Sequence, residues 1–227
     1  MMNDYISMVV NGYINSLIIH SRAGLGKTYS VNQILDKLGL KKGINYLSIS
    51  NYITPIEMFN LLVEVQTLQE PKLLVLDDIE TILKEKKIIG LLRGALWGIN
   101  GHRTIHYLST TSLIQTKRIE EFKGRFIFMV NEFPKDNLFL NALKDRGLYY
   151  HFDLSNQEIL KVMETKIISI SYRNLSPEER FKVFIYLKKI TNDRVKLSLR
   201  DLIKAYDCYC FSKDRWQLLI KKQLWQS

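Results

Sequence analysis

The sequence predicts a three-layer α/β domain on a parallel sheet, followed by a small all-helical domain. Two observations carry this. Short apolar runs, rich in β-branched and aromatic residues, alternate with longer amphipathic stretches through the first two thirds of the chain. After about Leu154 the strand signal stops and three helix-start patterns follow one another. The boundary therefore divides 1–154, the α/β core, from 155–227, the helical part.

Five runs read as buried strands: Asn15–Ser21, Asn45–Ser50, Lys72–Asp78, Arg125–Asn131 and Leu148–Leu154. Each is a near-continuous apolar segment, the pattern of a parallel strand covered on both faces. Thr54-Pro55-Ile56-Glu57 has capping-box spacing with Pro at the first helical position, ahead of Phe59, Leu62 and Val65. Ile88, Leu92, Ala95, Leu96 and Ile99 keep helical spacing after the third strand. Such strand–helix alternation builds three layers. Beyond 154, Ser155…Glu158, Ser176…Glu179 and Ser198…Asp201 are box-like helix starts. Apolar stripes such as Phe181, Phe184, Ile185 and Leu199, Leu202, Ile203, Tyr206 follow them, and a fourth helix carries Trp216 to Trp225. This part is too short to bury all those faces alone, so it is expected to dock on its neighbour.

Composition excludes several classes. Hydrophobic residues at 46% and charged residues at 25% of 227 are ordinary globular usage, which rules out a disordered chain. No apolar run approaches the ~18–20 residues that span a bilayer. The start, MMNDYISMVVNGY, lacks the layout of a signal peptide. Two cysteines, Cys208 and Cys210, make no disulfide framework, and a reducing, cytoplasmic setting is expected. They are two apart on a helix, and the four histidines show no metal spacing. The net charge of +10 points to a polyanionic partner without naming it.

SRAGLGKT, Ser21–Thr28, lies between a buried strand and a helix, where a phosphate-binding loop belongs. Gly24 and Gly26 let backbone N–H groups turn inward around phosphates. Lys27 reaches the β/γ-phosphates, Thr28 ligates Mg²⁺, and the following helix presents its positive dipole end. Ser21, Gly24, Leu25, Gly26, Lys27, Thr28 and Tyr29 are the expected ATP-binding segment. Ser21 stands where the motif usually begins with Gly. KLLVLDDIE places Asp77 and Asp78 at the carboxyl end of an apolar strand, the edge where open α/β sheets bind ligands. Asp77 is expected to hold the Mg²⁺ shell with Thr28, and Asp78 to orient the attacking water, with Glu80 as the alternative.

On these residues the chain resembles the AAA+ ATPase superfamily, a P-loop NTPase core with a helical lid, from about Ile6 to Trp225. SRAGLGKT resembles its Walker A and LLVLDDIE its Walker B. Most members carry Glu as the second acid; the Asp pair resembles replication initiators and helicase loaders, and clamp loaders or viral and plasmid members are further likenesses. The resemblance implies sensor 1 at Asn131, an arginine finger at Arg146 and sensor 2 at Arg200. It implies ATP hydrolysis in a homo-oligomer, ring or spiral, with Arg146 completing a neighbour's site. Plainer readings are a strand-end turn for Asn131, a surface partner of Asp145 or Asp136 for Arg146, and a polar helix face for Arg200.

The substrate is less legible. The phosphate loop starts at Ser21, so no N-terminal recognition domain is expected. A strand over 103–109 pairing with Arg125–Val130 would make a hairpin with Lys117, Arg118, Lys123 and Arg125 near its tip, a resemblance to the DNA-contacting hairpin of some AAA+ helicases; a surface loop whose charge Glu120 and Glu121 dilute is the plain alternative. From residue 151 on, 15 Lys and Arg face 9 Asp and Glu, so the lid is also a candidate DNA surface. The competing reading is a protein-remodelling ATPase, with Tyr52 of Asn51-Tyr52-Ile53 gripping polypeptide; Tyr52 packing on the Thr54–Val65 helix is the plain alternative. A protein partner is expected in either case, and no membrane. A small-molecule kinase would share only the phosphate loop.

Overall fold

The computed structural model describes residues 1–50, 52–79, 84–98, 102–107, 118–133, 137–192 and 196–225. Two compact units emerge: Met1–Arg22 with Lys27–Phe152, and Ala23–Gly26 with Asp153–Ser227. Ala23–Gly26, the glycine-bearing segment after the first strand, thus groups with the helical unit, while the residues on either side of it belong to the α/β unit.

In the α/β unit the strands are β1 (Ser16–His20), β2 (Tyr46–Ser50), β3 (Leu73–Asp77), β4 (Ile105–His106), β5 (Arg118–Ile119), β6 (Arg125–Val130) and β7 (Leu148–His151). Five of them form a parallel sheet in the order β2-β3-β6-β1-β7. Burial follows sheet position. The apolar residues of central β3, β6 and β1 are buried throughout, while β2 and β7 at the edges are partly exposed. Helices α1 (Met2–Val10), α2 (Lys27–Lys37), α3 (Pro55–Thr67), α4 (Lys86–Leu96) and α5 (Leu138–Arg146) supply the outer layers. Successive strand residues face opposite sides. Leu17, Ile19, Leu73, Val75, Ile127 and Met129 pack with Ile6 and Val9 of α1 and Val31 and Leu35 of α2. Ile18, Leu74, Leu76, Phe126, Phe128 and Val130 pack with α3, α4 and α5 through Phe59, Leu62, Leu92 and Phe139. That is the three-layer core.

The sheet differs from the sequence expectation at one place. Ile105–His106 pairs antiparallel with Arg118–Ile119, not with Arg125–Val130. β6, apolar after Arg125, is consumed by parallel pairing on both edges, so it has no edge left for a hairpin. Arg125 consequently sits at the foot of the sheet, donating from Nη1 to the carbonyls of Val10 (2.9 Å) and Pro71 (3.3 Å). Helix α1 has no side-chain cap, whereas at α5 the Asn137 Oδ1 accepts from the Leu140 N–H at 3.0 Å.

The helical unit holds α6 (Asn156–Val162), which runs into a π-helical turn (Met163–Ile167), then α7 (Pro177–Ile190), α8 (Leu199–Phe211) and α9 (Trp216–Trp225). Boxes cap α6 and α7, where Ser155 and Ser176 accept from the Glu158 and Glu179 N–H groups and each Glu answers the serine N–H. At α8 the Asp201 carboxylate accepts from the Ser198 N–H (2.7 Å) and hydroxyl (2.9 Å). The core includes Ile159, Val183, Phe184, Leu187, Leu202, Tyr206, Tyr209 and Trp216. Phe184 faces it as expected, but Phe181 and Ile185 are 49% and 44% exposed. The buried stripe of α7 is instead Arg180, Val183, Phe184 and Leu187.

Candidate nucleotide site

Register places the site before any side chain is considered. His20 pairs with Val130 and Leu76 with Phe128, so Ser21, Asp77-Asp78 and Asn131 all emerge at the carboxyl edge of the three adjacent central strands. Ser21, fully buried, donates its N–H to the Val130 carbonyl at 3.2 Å, which extends the ladder by one step past β1.

The chain then leaves the sheet through the glycine loop. Gly24 has φ +79°, and a Cβ there would stand 2.9 Å from the Ser198 Cβ, so both conformation and space require glycine. Gly24 also accepts a hydrogen bond from the Leu199 N–H at 2.9 Å. The start of α8, including Arg200, therefore lies against the loop tip within the helical unit. Arg200 is exposed there, its Cδ 3.7 Å from the place a Gly24 Cβ would occupy. Leu25 is buried, so only its backbone is available to a ligand, whereas Tyr29 is exposed with its hydroxyl accepting from Gln33 Nε2 at 2.7 Å.

Lys27 opens α2 and is only 5% exposed. Its Nζ donates to the Ser21 carbonyl (2.6 Å), the Ser21 hydroxyl (3.2 Å), the Arg22 carbonyl (3.3 Å) and Asn131 Oδ1 (2.7 Å). Asn131 in turn donates from Nδ2 to Asp78 Oδ1 at 2.5 Å. Asp78 holds φ +50°, an uncommon backbone for a non-glycine residue and one found at functional turns. Its N–H donates to Asp77 Oδ1 (3.1 Å), while Asp77 Oδ2 accepts from the Thr28 hydroxyl at 2.6 Å. One chain of hydrogen bonds thus runs Ser21, Lys27, Asn131, Asp78, Asp77, Thr28.

The donor set at its end is a hydroxyl and a carboxylate oxygen in contact. These are hard ligands that suit Mg²⁺, an ion that keeps several waters and few protein ligands. Among the described residues no cluster of three His, Cys, Asp or Glu forms a closed metal cage.

Not every expected residue joins this chain. Arg146 ends α5 at the amino edge of the sheet, its guanidinium 4.5 Å over the Trp97 ring, and pairs with no carboxylate among the described residues. Arg118 is ion-paired with Glu120 at 3.0 Å, and Lys123 is exposed. Tyr52 is 79% exposed and does not pack on α3. Asn51, Glu80, Ile99, Lys117, Asp136 and the segment 108–109 lie outside the described residues. Two contacts were missed from sequence. His20 and Tyr149 share a 2.7 Å hydrogen bond beneath the loop, with burial raising the Tyr149 pKa, and the Ser21 side chain itself meets Lys27. A serine in place of glycine at the motif's start was the available signal for the second; nothing local marks the first.

No family model matches the sequence. The chain is 31% identical over 224 residues to the uncharacterized 36.7 kDa protein in the nrdC-mobD intergenic region of Enterobacteria phage T4, covering 92% of this chain and 68% of that protein. Among solved structures, it is similar to the Thermotoga maritima RuvB Holliday junction branch migration motor, with TM-score 0.53 and 14% identity over 97% of this chain and 65% of that one. A DNA replication initiation factor gives TM-score 0.51 and 15% identity over 92% and 59%. The chain spans less than two thirds of either structure's length. These likenesses show the fold alone: a P-loop NTPase-type three-layer core followed by a C-terminal helical unit, shared with those two structures.

Proposed function

The chain belongs to the family of that uncharacterized phage T4 protein, and we propose that it is an ATPase that works on DNA as an oligomer. The observation that supports this best is the continuous hydrogen-bonded chain from Lys27 through Asn131 and Asp78 to Asp77 and Thr28. Phosphoryl transfer to water needs charge neutralisation and alignment more than covalent chemistry, and this chain carries residues of both kinds.

In this reading the loop N–H groups and Lys27 hold the β- and γ-phosphates, the Lys27 ammonium exchanging its protein oxygens for phosphate oxygens. Thr28 and Asp77 hold Mg²⁺, which supplies further neutralisation of the triphosphate. The Asp78 carboxylate accepts a hydrogen bond from the attacking water, and the Asn131 amide fixes both that carboxylate and Lys27. Arg200, beside the loop tip, adds positive charge from residues 155–227, the proposed lid. Arg146 acts in a neighbouring copy, so hydrolysis depends on a head-to-tail assembly. The named functions of RuvB and the initiation factor, with the net charge of +10, favour DNA as the substrate and the cytoplasm of an infected cell as the setting.

One observation favours a second reading. Tyr52, 79% exposed after β2, is placed to grip polypeptide in a protein-remodelling ATPase. Comparing ATPase rates with single-stranded DNA, duplex DNA and unfolded protein at two salt concentrations decides between them. Stimulation by DNA that fades with salt supports the DNA reading; stimulation by polypeptide alone, lost in Tyr52→Ala, supports the other. For the shared site, Arg146→Ala mixed with Asp78→Asn is expected to recover turnover, and no recovery at any ratio rejects hydrolysis across subunits.

A further inference from the structure

A cavity of about 440 Å³ opens at the other end of the sheet, lined among the described residues by Asn15, Leu96, Trp97, Gly98, Arg103 and Arg146. Asn15 precedes β1, whereas Ser21 follows it. The strand between them spans ~16 Å at ~3.3 Å per residue. A phosphate held by Lys27 therefore lies out of reach of this cavity in the same subunit.

Arg103 is 8% exposed, yet no carboxylate comes within ion-pair distance of it among the described residues. Its Nη1 donates to the carbonyls of Ala95 (2.9 Å) and Gly124 (2.7 Å), and the guanidinium lies 5.5 Å over the Phe122 ring. Burial, with the Arg125 charge adding to it, pushes its pKa down to about 10. It remains a cation at neutral pH, and buried cations in proteins are ordinarily paired with an anion. Arg146, which lines the same cavity, adds positive charge: its guanidinium lies 4.5 Å over the Trp97 ring, with Arg93 5.9 Å from that ring. Stacking uses the face of a guanidinium and leaves its in-plane donors for a ligand.

We propose that this cavity is a second phosphate-binding site, in which Arg103 and Arg146 clamp one phosphate group while the Trp97 ring, stacked under Arg146, holds that guanidinium in place. Two guanidinium groups match a dianion better than a single carboxylate charge, and each presents paired donors suited to phosphate oxygens. The phosphate comes either from a small free polyphosphate or from the backbone of a nucleic-acid strand. The site shares Arg146 with the proposed finger but not the phosphate loop, so its binding is read in a chain whose own loop is disabled, and Arg103, which has no part in the nucleotide reading, tells the two apart.

Trp97 is a built-in reporter. The full-length Lys27→Ala chain, its loop site disabled, is titrated with pyrophosphate and separately with a short oligothymidylate while tryptophan fluorescence is followed. A saturable change is expected that disappears in Trp97→Phe, in which Trp216 and Trp225 remain. Its midpoint is expected to weaken about tenfold in Arg103→Gln and in Arg146→Gln, the loss of one charge-assisted pair. Response to pyrophosphate assigns the free anion; response to the oligonucleotide alone, fading with salt, assigns the backbone. Because Arg103 also ties two carbonyls, the exposed Arg146→Gln decides if Arg103→Gln fails to fold. No response to either probe, or an unchanged midpoint in Arg146→Gln, overturns the clamp.

Discussion

Lys27 and Arg103 are both buried cations of the α/β unit, one at the carboxyl edge of the sheet and the other at the amino edge. Lys27 is ringed by oxygens of its own loop and by Asn131, which passes the contact on to Asp78. Arg103 is anchored by one nitrogen to two carbonyls and borders a cavity whose other charged group is another arginine. The first arrangement is a compact point charge resting among exchangeable partners. The second is a rigid fork, tied to two carbonyls and bordering the cavity. A lysine ammonium on its flexible stem adapts to its partners; a guanidinium holds its donors in a fixed plane.

The comparison can be broken experimentally, beginning with its largest expected effect. Lys27→Ala is expected to weaken ATP binding about 100-fold or more in calorimetry, since backbone N–H groups alone do not balance a triphosphate. Unchanged affinity would remove the loop from the site. Asp78→Asn is expected to keep ATP affinity and lower turnover about 100-fold, measured as phosphate release, because an amide orients water poorly.

Stability separates the two cations in the opposite sense. Arg103→Ala is expected to cost about 2–4 kcal/mol in urea denaturation, from two orphaned carbonyls and an emptied volume. Lys27→Ala should cost less, because the Arg22 carbonyl and Asn131, two of the groups it leaves, are only partly buried. Equal losses would make both residues structural.

The helical unit provides a smaller contrast. There Arg180 Nε and the Tyr206 hydroxyl are buried without a hydrogen-bond partner among the described residues. Burial pushes the Tyr206 phenol up to about 12 from 10.0, with Arg180 opposing. The unfolded chain loses this proton first, so the contribution is present below pH ~10 and is lost as pH rises towards ~12. Thermal melts from pH 9 to 11 should show this alkaline loss, and Tyr206→Phe should flatten it. At neutral pH that variant is expected to gain about 1 kcal/mol by removing an unsatisfied buried hydroxyl; destabilisation instead would reveal a partner for the phenol.

Much of the carboxyl edge was legible in advance. The five strand segments are apolar runs, which burial on both faces demands, and Ser21–Thr28 and Asp77-Asp78 sit at their ends because chemistry needs short local spacings there. The edge status of Phe181 and Ile185 was not legible, since helical spacing defines a stripe without saying which side the core will take. Neither was the pairing of Ile105–His106, because both edges of β6 were already claimed by strands far away in sequence.

By itself the sequence determined the five strands of the parallel sheet, the caps of α3, α6, α7 and α8 and the glycine loop between β1 and α2, all marked by patterns within a few residues. Tertiary structure alone decided that Asn131 joins Lys27 to Asp78 across 104 and 53 positions. It also buried Arg103 beside Arg146 and Trp97. Such juxtapositions follow from strand order and register, which bring distant residues to one edge and leave no periodic trace in the chain.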